Sequence, residues 1–127
     1  MKENTIKKIT IKKIVHCIVC HRFRNNHIPE TIEAKIIYDS DKLDSIGAVG
    51  IGRAFWFSGD IKSRIYTGNE KRLAKVNKNY SYTKEDSALL EYEVKLKFIK
   101  NKLFTKTAKI IAEKRNRVME FFWKEFF

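Results

Sequence analysis

Asp39-Ser40-Asp41-Lys42-Leu43-Asp44-Ser45-Ile46-Gly47-Ala48-Val49-Gly50-Ile51-Gly52-Arg53-Ala54-Phe55 sets three carboxylates inside an otherwise apolar stretch. The surrounding segment, 31–58, is apolar nearly all round, through Ile36, Ile37, Leu43, Ile46, Val49, Ile51, Phe55 and Trp56. Such a segment is a central, buried helix or helix pair. Carboxylates are almost never fully buried unless they are paired or bound to metal. On a helix, Asp41 and Asp44 share a face, and Ala48 and Gly52 continue it. Acids followed by small residues leave a recess for an ion or a phosphate, and a hard cation takes such oxygen ligands. The alternative is an acidic helix start, with Asp39, Asp41 and Asp44 near a positive N-terminus. The residues alone leave both readings open. Gly47, Gly50 and Gly52 do not follow GxGxxG and follow no strand, which excludes a dinucleotide fingerprint.

Working outward, apolar residues recur at helical spacing on both sides. Ile11, Ile14, Val15, Ile18 and Val19 form one stripe, with Thr10 placed as a cap, and Pro29 suits the first turn of the next helix. Gly59 is a plausible stop for the central segment, and 60–82 is polar and basic and reads as a loop. Thr83-Lys84-Glu85-Asp86 has the capping-box pattern, and Leu89, Tyr92, Leu96, Ile99 and Leu103 follow at spacings of three and four. Thr105 can cap a last helix whose core face is Ala108, Ile111, Ala112, Val118, Met119, Phe122 and Phe126. The expectation is an all-α fold without sheet, with helices near 10–22, 31–58, 83–102 and 106–125, the last two antiparallel.

The 127 residues fit one domain, and nine Phe, five Tyr and two Trp supply buried area. Net charge is +12, from 27 Lys and Arg against 15 Asp and Glu, spread along the chain without a compact basic run. That charge suits nucleic acid, nucleotides or anionic surfaces, or simply a lysine-rich helical exterior. No apolar run approaches the ~18 residues of a membrane span, and the N-terminus lacks a signal-peptide core, so a cytoplasmic location without membrane contact is expected. His16-Cys17-Ile18-Val19-Cys20-His21 contains the haem-attachment spacing CxxCH and four soft ligands. On one helix Cys17 pairs with His21, whereas His16 with Cys20 points about 100° away. Two reduced, packing cysteines are therefore the better reading than haem or zinc.

The runs His21-Arg22-Phe23-Arg24, Pro29-Glu30-Thr31-Ile32-Glu33-Ala34-Lys35-Ile36 and Asp39 to Phe55 together resemble a branch of bacterial and archaeal HD-domain phosphohydrolases. The C-terminal run Ser87 to Glu120 adds to the resemblance through Thr105, Ala108-Lys109, Ala112-Glu113-Lys114-Arg115 and Met119-Glu120-Phe121-Phe122. The likeness implies an all-helical, incomplete HD-like domain over 1–127. It consists of a signature region at 14–59, a basic loop at 60–82 and a helical pair at 83–127. HD enzymes hold a divalent metal (manganese, magnesium or iron) through a histidine, a His-Asp pair and a distant aspartate. The resemblance places that aspartate on Asp41, and His21 becomes an active-site histidine that binds phosphate or moves a proton. Lys42 and Arg53 contact phosphate or neutralise the supporting acids Asp39 and Asp44. On one straight helix Arg53 lies opposite Asp44, which favours a structural role for it.

No His-Asp dipeptide occurs, for His16, His21 and His27 are each followed by another residue. One family ligand of four is present. The expectation is a phosphohydrolase fragment for a phosphate ester or nucleotide, inactive alone: truncated, split or repurposed. A homo-oligomer or a complementing chain would cover its open face, and Asp41 would lie close to His21. The rival is a non-catalytic basic helical protein that binds nucleic acid or a protein partner.

Overall fold

A computed structural model of the chain describes residues 7–22, 26–76 and 79–126. Its elements are α1 (Lys8–Cys20), α2 (Ile32–Leu43), α3 (Gly47–Asp60), α4 (Glu70–Val76), α5 (Ala88–Val94), a 3₁₀ segment (Leu96–Asn101) and α6 (Lys106–Phe126). No strand occurs among the described residues. The all-helical expectation holds.

The core lies between α3, α5, the 3₁₀ segment and α6. The predicted stripe Leu89, Tyr92, Leu96, Ile99 and Leu103 is buried, together with Ile46, Ile51, Ala54, Ala108, Ala112, Met119 and Trp123. Phe55 is ringed by Phe122, Trp123 and Phe126 at centroid distances of 6.0, 5.7 and 5.9 Å. Aromatic area of this kind dominates the burial energy of a small core. Two positions of the expected α6 face, Ile111 and Val118, are instead exposed. The buried line continues through Asn116 and Trp123, a narrower stripe at i, i+3, i+4 and i+7.

Four local expectations are corrected. The single element expected over 31–58 is two helices, α2 and α3, broken at Ser45 and Ile46. Ile46 is extended and Gly47 takes φ +77°, a conformation that L side chains rarely adopt. The stretch 60–82 contains α4, clipped to α5 by Glu70. This buried carboxylate accepts hydrogen bonds from the Ser87 hydroxyl at 3.1 Å and from the Thr67 N–H. Helix α5 starts at Ala88 with Ser87 as its cap. Thr83 and Asp86 form the preceding turn, in which the Asp86 carboxylate accepts the Tyr82 N–H at 2.8 Å. Finally, Thr10 lies inside α1, which begins at Lys8, and Gly59 lies inside α3, which ends at Asp60.

The conflict posed by the buried carboxylates resolves at Asp39. It is 2% exposed and sits on α2, yet its oxygens accept from Phe104 N–H at 2.9 Å and Thr105 N–H at 2.7 Å. The Thr105 hydroxyl donates to the same carboxylate at 2.7 Å, while its oxygen accepts from Ala108 N–H at 3.3 Å. A negative charge at the positive end of α6 satisfies donors that helix geometry leaves without partners. Tyr38 packs edge-on against Phe104 at 5.1 Å beside it. Asp39→Ala should therefore lower the free energy of unfolding by about 2–4 kcal/mol, since it strands several donors in a part-buried site. Urea denaturation checks this, and a loss below about 1 kcal/mol would remove Asp39 from its structural role.

Candidate functional site at the joint of two helices

The remaining residues expected to carry chemistry gather where α2 gives way to α3. Arg115, reaching across from α6, donates to the Leu43 carbonyl and so closes the end of α2. The chain then reverses through Ser45 and Ile46. A Cβ on Gly50 would lie 2.3 Å from the Ser45 carbonyl oxygen, so only glycine permits the reversal. This corrects the expected ion-sized recess. The space beside Gly50 is filled by backbone, and beside Gly52 it is open.

Asp41, Lys42, Asp44 and Arg53 surround the joint. Asp41 has a half-exposed side chain, 3.0 Å from the Lys42 ammonium. Lys42 also lies 5.0 Å from the centre of the Tyr38 ring. Because the helix breaks, Arg53 does not lie opposite Asp44. It folds back onto the Asp44 carboxylate in an exposed ion pair, a type that contributes little to stability. Asp39, committed to α6, does not join the cluster.

His21 does not join it either. Helices α1 and α2 run antiparallel, as the contacts Lys13 to Glu33 at 3.8 Å and His16 to the Glu30 N–H at 3.1 Å establish. In that register Asp41 stands level with the start of α1, whereas His21 caps its far end and contacts the Ile18 carbonyl. The two are on the order of 20 Å apart along the helix axes, and the expected closeness of His21 and Asp41 is not found. Cys17 and Cys20 are buried free thiols, as expected of packing residues. Burial, then the neighbouring Cys17 and Glu30, raises the Cys20 thiol above its usual range, which keeps it protonated and a poor metal ligand.

The donor set does not by itself fit a divalent metal. Among the described residues no group of three His, Cys, Asp or Glu side chains is arranged to hold one. Asp39 and Asp44 already have partners, which leaves Asp41 as a lone carboxylate where a hard cation needs several oxygen or nitrogen ligands.

Beside the joint, a cavity of about 440 Å³ opens between α3 and α5, bordered by Ser45, Arg53, Trp56, Tyr82, Asp86 and Lys95. Sequence reasoning overlooked Lys95 and assigned Asp86 to a cap, for no local pattern ties either to Arg53. Burial raises the Asp86 carboxyl above 3.8, against the lowering effect of the Tyr82 N–H.

The fold and the joint are those of the HD-superfamily hydrolases, to which this chain is related. No protein-family model matches the chain. It is similar to YpgQ of Bacillus subtilis, 33% identical over 118 residues, which are 90% of this chain and 50% of that protein. The crystal structure of YpgQ in complex with ADP superposes with a TM-score of 0.72 at 29% identity, over 96% of this chain and 53% of that one. A crystal structure of an HD-superfamily hydrolase from Bacillus thuringiensis gives 0.70 at 29% identity, over 98% and 55%. The chain thus spans about half the length of the relatives it matches. Among the described residues no helix is long and apolar enough to cross a membrane.

The cavity carboxylate makes a prediction about pH. A carboxyl whose folded pKa is raised contributes stability that is fully present below the unfolded value. That contribution is lost as pH rises through the folded one. Between 3.8 and the raised value, wild type should therefore lose stability that Asp86→Asn keeps. Parallel urea titrations of both proteins across that range should converge at the acid end and diverge above it; parallel curves throughout would refute the effect.

Proposed function

We propose that this chain contributes one half of a metal-dependent phosphohydrolase site, acting on a phosphate ester or nucleotide once a companion polypeptide completes it. The observation that carries the reading is Asp41. It stands half-exposed at the helix joint, in the run that resembles HD enzymes, and the fold has no structural use for it. Lys42 and Arg53 flank it and supply positive charge for a phosphate. A relative of the same fold has been crystallised with ADP, which supports a nucleotide or a similar phosphate ester as substrate. The companion supplies the remaining ligands, and the metal in the completed site activates water and offsets phosphate charge. His21 belongs to the opposite end of α1, so its role in this reading is confined to the helix end it caps.

Net charge favours one further reading, a non-catalytic helical protein that binds nucleic acid through its +12 charge. Salt separates the two, because binding to a phosphate backbone weakens steeply as salt rises.

The isolated chain, given manganese or magnesium and a nucleotide or chromogenic phosphate ester, should turn over at background. Activity should appear with a companion bearing a His-Asp pair and vanish with Asp41→Asn in the same mixture. Turnover by the pure chain that depends on Asp41 would show that its own residues complete the site, and the half-site reading would fall.

A further inference from the structure

The largest unexplained feature lies away from the core. Helix α1 packs chiefly on α2, and most of its apolar side chains face outward: Ile18 is 61% exposed, Ile14 48% and Val15 51%. Between the two helices runs a groove of about 590 Å³, walled by Lys13, Ile14, Cys17, Ile18, Glu33 and Ile37. Contiguous apolar surface of this kind seldom stays bare in water.

The groove has a direction. Its α2 wall carries Glu33 and Ile37, one helical turn apart, and the next residue on that line is Asp41. From Thr10 to His21 the α1 wall is about 16 Å long, enough for three turns of a docked helix. A helix lying in this groove therefore ends next to the one carboxylate that the fold leaves for chemistry.

We infer that this groove docks a helix of a different polypeptide, with an apolar face and acidic flanks, whose end brings metal ligands to Asp41. The inference rests on the half-site reading for the ligands, but the docking surface stands on the groove itself. Two observations identify the occupant. Helix α1 carries Lys8, Lys12 and Lys13 and no acid, and the acid in the groove, Glu33, already faces Lys13 at 3.8 Å. A second copy of a +12 chain would bring another lysine-edged isoleucine face to this one, whereas acidic flanks complement it. In addition, relatives of the same fold are about twice as long as the matched region. They carry further polypeptide that is absent here, and the occupant is its counterpart.

The probe is the half of Bacillus subtilis YpgQ that this chain does not match, co-expressed with the full chain. A one-to-one complex should sediment as a heterodimer, and the amides of α1 should gain protection from hydrogen exchange. Ile18→Glu, at an exposed position that leaves the helical circular dichroism intact, should weaken association at least about thirtyfold, as expected of a central interface anchor. Phe121→Glu, on the exposed face of α6, should leave association unchanged. Manganese binding, followed by electron paramagnetic resonance, should rise in the complex and disappear in Asp41→Asn while the heterodimer persists. Absence of a complex, a complex indifferent to Ile18→Glu, or a homodimer that Ile18→Glu disperses would each overturn the docking inference. A heterodimer that protects α1 but binds no manganese would uphold the groove and overturn the half-site reading instead.

Discussion

The carboxylate of Asp39 holds the two parts of this molecule together. Helices α1 and α2 contribute little to the core, which α3, α5, the 3₁₀ segment and α6 build among themselves. What fixes α2 against that core is a buried charge accepting three hydrogen bonds from Phe104 and Thr105 at the start of α6. Buried ions are costly unless every lone pair finds a donor, and here the helix terminus offers donors that would otherwise lack partners. The same contact sets the height at which α2 ends, and Arg115, further along α6, then closes that end at Leu43. The position of the joint follows from α6.

From that anchoring the local chemistry follows. Because α2 is stopped at Leu43, the chain must reverse within a few residues. Gly47 takes the left-handed conformation against the Arg115 stem, and Gly50 lets the backbone of Ser45 approach. The reversal returns Arg53 to Asp44 and leaves Asp41 and Lys42 facing outward at the same place. A straight helix would have spread these groups around its circumference, as its 100° step per residue requires.

Much of the fold was legible in the sequence where side chains alone decide it. The stripe from Leu89 to Leu103 and the cap at Thr105 follow from spacing and hydrogen-bonding chemistry. The break in 31–58 was not legible as such, because glycines at 47, 50 and 52 read equally as a close-packed helix face. Their role depends on Arg115, some 70 residues away in the chain. Nor does spacing reveal that Asp39 lies under α6, for its partners are separated from it by 65 and 66 positions. The α1 stripe was recognised, but periodicity marks an apolar face without saying what covers it. The resemblance to HD enzymes carried Asp41 to the correct run of sequence. It did not carry His21 to Asp41, because the antiparallel register of α1 and α2 sets them at opposite ends.

The three aspartates divide the work in a way that bears on how half a site persists. Asp39 is consumed by folding and Asp44 by an exposed pair with Arg53, so neither can be released to a cation without loss elsewhere. Asp41 differs. Its partner is the adjacent Lys42, an exposed contact worth at most about 1 kcal/mol. Stability therefore neither requires Asp41 nor is harmed by a ligand that binds it. A ligand-free fold can hold this carboxylate ready at the end of an apolar groove, while the other ligands arrive on whatever fills that groove. Separating the carboxylate that builds the joint from the one that meets the cation allows the first half of the site to fold before the second is present.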